Sequence, residues 1–233
     1  MKITNLILRI FKRINQLHYP LMVLLDASLI NLKIKHKKTK GLFIDCGSNV
    51  GQGFNFFKKF FTPKYFDYVM FEPNPHCFEH LITIEKSLKK THNIKILKKA
   101  IGKKNQIMRF YGLHKEEGGQ LSQGGSTVSS HNSRFYKTDL QKSILVKSIS
   151  FAKFITSQYK EYKTIVIKMD IEGAEYEVLN DLIEKKILNQ IDIMYVEFHS
   201  SYMKENLKKI YEKKEKIIKK VFSKTNCKLR IWV

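Results

Sequence analysis

Arginine is nearly missing from a chain that is otherwise strongly basic. Of 43 Lys and Arg residues among 233, five are Arg, set against 21 Asp and Glu for a formal net charge of +22. Readers of phosphates and base edges favour the flat, bidentate arginine fork, so its shortage argues against nucleic acid as the main partner. Cysteine is scarce as well. Cys46, Cys77 and Cys227 are odd in number and follow no metal-ligand spacing, which fits a reducing compartment such as the cytoplasm. No apolar run approaches the roughly 20 residues that cross a bilayer; the longest early one, "PLMVLL", stops at Asp26. The N-terminus makes a poor secretory signal, because Arg9, Lys12 and Arg13 interrupt its apolar stretch.

What is present suffices for one folded domain. Hydrophobic residues make up 43% and aromatics 12%, enough for a full core at this length. The charge excess is concentrated at the ends: residues 1–40 carry 9 basic and 1 acidic residue, and 202–233 carry 11 and 3. Genome base composition, an anionic membrane and nucleic acid each account for such an excess. Residues 3–14 place Ile3, Leu6, Ile7, Ile10, Phe11 and Ile14 at helical spacing, with basic residues largely off that stripe. Such a helix either docks on the domain or lies on an anionic membrane surface. "KIKHKKTKG" (33–41) then reads as a charged connector. The organisation expected is a basic helical extension over residues 1–40 and a catalytic domain over 41–233.

From residue 42 short apolar strands alternate with helical stretches. "LFIDCG", "DYVMFEP", "IKILKKAIG", "TIVIKMD", "IDIMYVEF" and "KLRIWV" read as strands, with helices between most of them. The pattern predicts an α/β fold, a mostly parallel sheet with helices on both faces. The segment 112–138 breaks this rhythm. It is polar, holds five glycines and is long for a plain connection. It reads as a substrate-side loop or as disorder, after which "ILVKSIS" returns toward the sheet.

Two strand ends carry chemistry. "FIDCGSNVGQG" runs from a strand into a helix and presents Asp45, Gly47, Ser48, Asn49 and Gly51 at the turn. Glycines there permit a tight turn and close approach of a ligand to the backbone. Their spacing fails the dinucleotide fingerprint and there is no Walker lysine. A carboxylate before the first glycine also repels pyrophosphate and favours a cationic or amino-acid-like ligand. "YVMFEPNP" then ends the second strand at Glu72, placed as the acid that accepts ribose hydroxyls in nucleotide-binding folds.

In this order the two motifs resemble the class I S-adenosylmethionine-dependent methyltransferases, a Rossmann-like fold. "VIKMDIEGAEYEVL" (166–179) resembles the hallmark of the FkbM-type methyltransferase family, and "MFEPNP", "KAIG" (99–102) and "VEFH" (196–199) follow in that family's order. The resemblance spans about residues 42–199. It implies methyl transfer from S-adenosylmethionine to a hydroxyl, commonly of a sugar or glycoconjugate. It implies cofactor-binding roles for Asp45, Gly47, Ser48, Asn49, Gly51 and Glu72, with Asn74 near the ribose and Ala100 and Ile101 on the adenine side. "QGGSTVSS" (123–130) resembles the family's Gly/Ser-rich stretch and supports an acceptor-side role.

The acids at the end of "TIVIKMDIEG" are the candidate catalytic group. Strand alternation sends Lys168, Asp170 and Glu172 to one side if the strand stays extended. A lysine in an apolar strand needs a partner, so Lys168 is either one half of a structural ion pair or part of an acceptor site. Glu175 and Glu177 read as helix-start electrostatics. Glu197 and His199 end a later strand, and if the two strands are neighbours, Asp170, Glu172, Glu197 and His199 converge. An alcohol nucleophile benefits from a base, and His199 has the right intrinsic pKa; the choice of base stays open. No ligand spacing compels a divalent metal, and none is expected. The rival readings are an RNA methyltransferase and a non-catalytic module docked on membranes.

Overall fold

The computed structural model describes residues 2–89, 92–113, 120–132 and 142–232, and side chains from Tyr19 onward. Helix α1 (Lys2–Lys37) leads into strand β1 (Gly41–Cys46), α2 (Gln52–Phe57), β2 (Phe66–Phe71), α3 (Phe78–Lys89) and β3 (Ile94–Leu97). After three further strands come α4 (Phe151–Tyr159), β7 (Ile165–Met169), α5 (Glu175–Glu184), β8 (Ile193–Val196), α6 (Glu205–Phe222) and β9 (Lys228–Ile231). The main sheet has six strands in the order β3-β2-β1-β7-β8-β9. Every pairing in it is parallel. The expected α/β architecture is present.

The continuous apolar strands are buried on both faces, as parallel strands covered by helices must be. One face sets Leu42, Ile44 and Ile167 against Phe151, Leu179 and Phe222 of the helices α4, α5 and α6. The other sets Phe43, Tyr68 and Tyr195 against Phe54 and Phe57 of α2 and Leu81 of α3.

Helix α1 joins this second cluster. Val23, Ala27, Ile30 and Ile34 repeat at helical spacing and are buried. Residues 19–37, within the expected N-terminal extension, thus share a core with β1. Asp26 fixes the contact: it accepts hydrogen bonds from Arg230 Nε and Nη2 at 2.8 and 2.9 Å and from Lys228 Nζ at 2.6 Å. The connector expected at 33–41 is instead helical through Lys37, because Ile34 packs into the core. The side chains of the amphipathic stripe at 3–14 lie outside the described residues.

A second correction concerns "IKILKKAIG" and "ILVKSIS". The first is not one strand. It divides into β3 and β4 (Ala100–Gly102), which belong to different sheets. The second, β6 (Ile144–Ser150), does not rejoin the main sheet. It pairs parallel with β4 and antiparallel with β5 (Gln106–Phe110) in a separate three-stranded sheet, ordered β4-β6-β5. That small sheet covers its own cluster of Ala100, Phe110, Leu113 and Val146.

Candidate functional site

The chain runs outward from β1 to β2 and β3, then crosses to β7, β8 and β9 on the other side. This makes the carboxyl ends of β1 and β7 a topological switch point, the place where open parallel sheets hold ligands. A cavity of about 180 Å³ opens there. Gly47, Asn49, Glu72, Asn74, Ala100 and Ile101 line it. So do Lys168, Asp170, Glu172 and Glu197, at or beyond the ends of β7 and β8. Asp45, Ser48 and Gly51 belong to the turn after β1 and its approach.

Sterics dictate the turn. Gly47 has φ +77, and a Cβ there would come within 1.8 Å of the Asp170 carbonyl oxygen. Gly51 has φ +91, and a Cβ would meet Ile84 Cδ1 at 2.3 Å. Asn49, also left-handed at φ 46, donates its backbone N–H to Glu72 Oε2 at 2.7 Å. Asn74 donates its backbone N–H to Glu72 Oε1, also at 2.7 Å. Burial pushes the Glu72 carboxyl up to about 7, against the pull of these two donors. Each Glu72 oxygen keeps a lone pair for a second donor, the hydroxyl of a bound ribose for example. The side-chain amides of Asn49 and Asn74 donate to the carbonyls of Ser122 and Gln120, at 3.0 and 2.8 Å, and so tie loop 120–132 to the turn.

Beneath the turn lies a buried ionic group. Asp45 and Lys168 are register partners across β1 and β7. Lys168 Nζ stands 3.4 Å from Asp45 Oδ1 and 3.3 Å from Asp170 Oδ2, and donates to the Gly47 carbonyl at 2.8 Å. Burial opposes the lysine's charge, but Asp45 and Asp170 outweigh it and hold the ammonium protonated. Burial also pushes the Asp45 carboxyl up, against the attraction of Lys168. Among the described residues neither Asp45 carboxylate oxygen receives a hydrogen bond. Lys168 is thus ion-paired at depth, and it also lines the cavity.

The acids and His199 do converge, because β7 and β8 are neighbours. His199 Nε2 lies 3.4 Å from Glu172 Oε2 and 3.7 Å from both Asp170 Oδ1 and Glu197 Oε1. The route differs from the one the sequence pattern predicts. The strand ends at Met169, and Glu172 reaches the cluster through a left-handed backbone at φ 53 followed by Gly173 at φ 98, not by strand alternation. Gly173 suits this turn because a φ of +98 is strained for any L side chain.

Glu175 is a third correction. It is not an exposed helix-start acid but fully buried. Its Oε2 accepts from Gly173 N at 2.8 Å, its Oε1 accepts from His199 N at 2.9 Å, and His199 Nδ1 lies 3.3 Å from that same Oε1. Glu177 is exposed in the first turn of α5, as expected. Burial alone would lower the His199 imidazole, yet Glu175, Glu172 and Asp170 push it up to about 10. In the bare protein it is a cation at neutral pH and not a free base. Glu197, pushed up to about 7 by burial and Asp170, is the better proton acceptor near neutrality.

Two contributors carry no signal in the sequence. His131, fully buried in the polar loop, places Nε2 3.2 Å from Glu172 Oε2, and Ser126 Oγ of the same loop donates to the Glu172 carbonyl at 2.6 Å. Trp232, beyond β9, lines the cavity and packs edge-on against Tyr19 of α1 with ring centroids 5.2 Å apart. The loop's polar composition marks it as functional, but nothing singles out His131 within it.

Comparison with known proteins adds to this geometry. The sequence pattern of the family described as the methyltransferase FkbM domain matches residues 45–219. None of the curated proteins matches the chain. A crystal structure of a methyltransferase FkbM from Methylobacillus flagellatus KT is 15% identical over 76% of this chain, with a TM-score of 0.46. The match covers 37% of that protein's chain, and at this distance it does not bear on activity or substrate.

Proposed function

Because the chain belongs to the FkbM methyltransferase family, we propose that it transfers a methyl group from S-adenosylmethionine to a hydroxyl of a carbohydrate or glycoconjugate. One observation carries this reading. A single cavity is lined by the Glu72 carboxylate and by the Asp170, Glu172 and Glu197 carboxylates. Glu72 suits ribose hydroxyls, Ala100 and Ile101 offer an apolar wall to adenine, and the carboxylates suit both a cationic ligand and a hydroxyl donor. When bound, the cofactor supplies an electrophilic methyl group. This chain's own part is to align the acceptor oxygen and to take its proton at Glu197. Titration calorimetry with S-adenosylmethionine tests the cofactor. Saturable binding is expected for the wild type, and at least tenfold weaker binding for Glu72→Ala. The absence of heat with folded wild-type protein would reject the reading.

We propose in addition that the enzyme works at the cytoplasmic face of an anionic membrane. Among the described residues no helix is long and apolar enough to cross a membrane. Leu21, Leu24, Leu25, Leu29 and Leu32 of α1 are 48–65% exposed, on a helix whose other side is buried in the core. A net charge of +22 favours an anionic surface over a second, equally charged copy as the cover for this stripe. Cosedimentation should occur with phosphatidylglycerol vesicles and not with phosphatidylcholine vesicles. It should fall at least about thirtyfold in Leu25→Glu/Leu29→Glu, given about 1–2 kcal/mol for each buried leucine. A concentration-dependent dimer lost in the same double variant would instead assign the stripe to a second copy.

A further inference from the structure

We propose that Asp170, Glu172 and His199 form a divalent-cation site on the acceptor side of the cavity. One carboxylate oxygen from each acid and a ring nitrogen of His199 all lie within 4.8 Å of one another. An ion with bonds of about 2.1 Å in octahedral geometry spaces its donor atoms about 3.0 Å apart when adjacent and about 4.2 Å apart when opposite. The Nε2 distances of 3.4 Å to Glu172 and 3.7 Å to Asp170 fall between these. Both are longer than the usual hydrogen bond, and small shifts bring the three atoms onto one ion.

His199 supplies the observation that an acidic cluster alone lacks. It is 1% exposed, and its orientation is fixed from behind. The fully buried Glu175 faces Nδ1 at 3.3 Å and accepts the His199 backbone N–H at 2.9 Å. An ion entering the cluster displaces the Nε2 proton; with the remaining ring proton on Nδ1 toward Glu175, the Nε2 lone pair then faces the carboxylates. This carboxylate–histidine arrangement is how proteins orient an imidazole toward a metal. What Nε2 meets is three carboxylates, Glu172 at 3.4 Å and Asp170 and Glu197 at 3.7 Å. Glu197, 3.7 Å away, and His131, whose Nε2 lies 3.2 Å from the same Glu172 oxygen, border the site.

The donor set selects the ion class. Two carboxylates and one imidazole suit a first-row divalent ion with oxygen preference, Mn²⁺ above all, more than Ca²⁺ or a thiolate-seeking metal. Resting on the methyltransferase reading, the inference gives the ion one task. It binds the acceptor's hydroxyl oxygen beside Glu197 and makes its proton easier to remove. It also replaces the expectation, drawn from sequence spacing, that no metal is bound: a left-handed residue and two adjacent strands bring the ligands together.

The probe is Mn²⁺ itself, followed by electron paramagnetic resonance on full-length protein freed of metal with EDTA. One ion per chain is expected. Glu172→Gln should bind at least tenfold more weakly. Glu175→Gln, which touches His199 and not the ion, should weaken binding by roughly 10- to 100-fold. Glu177→Gln, exposed on the same helix, should match the wild type, and circular dichroism confirms the fold of each variant. No saturable binding by folded wild type, or binding unchanged in Glu172→Gln, would overturn the site. S-adenosylmethionine calorimetry in EDTA separates the two readings. Cofactor binding without Mn²⁺ binding defeats the metal site alone, whereas Mn²⁺ binding without cofactor binding supports the metal site and defeats the methyltransferase reading.

Discussion

Glu175 and Glu177 stand two positions apart at the start of one helix and have nothing else in common. Glu177 is exposed and complements the helix dipole; Glu175 is buried and holds His199. The sequence shows the same letter twice, and only the packing of β8 against β7 tells them apart. Asp170 and His199 were legible because a carboxyl edge is where ligands bind. His131 was not, since a polar loop offers no periodicity to place it. Two outcomes belong at this scale. Asp170→Ala should abolish methyl transfer while its thermal midpoint stays within a few degrees of the wild type's, measured by circular dichroism and a labelled-methyl assay. Lys168→Met should lower unfolding free energy by about 3–5 kcal/mol, because Asp45 is left buried without its cation. Urea denaturation should show much of that loss restored in Asp45→Asn/Lys168→Met; a milder single variant would mean the pair contributes little.

Strands and helices differed in how well the sequence disclosed them. β1, β2, β7 and β8 are buried on both faces, and unbroken apolar runs announced them. The small sheet was obscure because β5 is mostly exposed, Ile107 included, so it lacks the alternation that marks a half-buried strand. α1 was obscure for the opposite reason: among its described residues four apolar side chains are buried in the core and five leucines are exposed. Ile30→Ala should cost about 2–4 kcal/mol by opening a cavity against the sheet, read as a lower urea midpoint. Asp26 anchors the same helix. Burial would raise its pKa, yet hydrogen bonds from Arg230 and Lys228 bring it below the ordinary carboxylate value. A carboxyl depressed on folding contributes stability that is present above its unfolded pKa, near 4, and disappears as pH falls through the folded value. The stability advantage of wild type over Asp26→Asn should therefore be full at pH 6 and shrink steadily below pH 4 in thermal melts. A difference independent of pH would assign the anchor to packing instead of charge.

At the scale of the whole molecule, a basic body, an exposed leucine stripe and a cleft at the sheet's switch point have to serve one activity. The charge excess alone was ambiguous among genome base composition, membrane and nucleic acid, and the shortage of arginine argued only against the last. The cleft is more specific, because Glu72, Ala100 and Ile101 line it together with Asp170, Glu172 and Glu197. Salt should weaken vesicle association steeply and cofactor binding little, since the first depends on exposed lysines and the second on a buried cavity. The most direct measurement is transfer of tritiated methyl from S-adenosylmethionine into cell-envelope carbohydrate, followed by alkali treatment. If the enzyme methylates a sugar hydroxyl, the label enters the carbohydrate fraction and survives alkali as an ether, and Asp170→Ala transfers none. Label released by alkali, label found in RNA, or equal transfer by the Asp170 variant would contradict it.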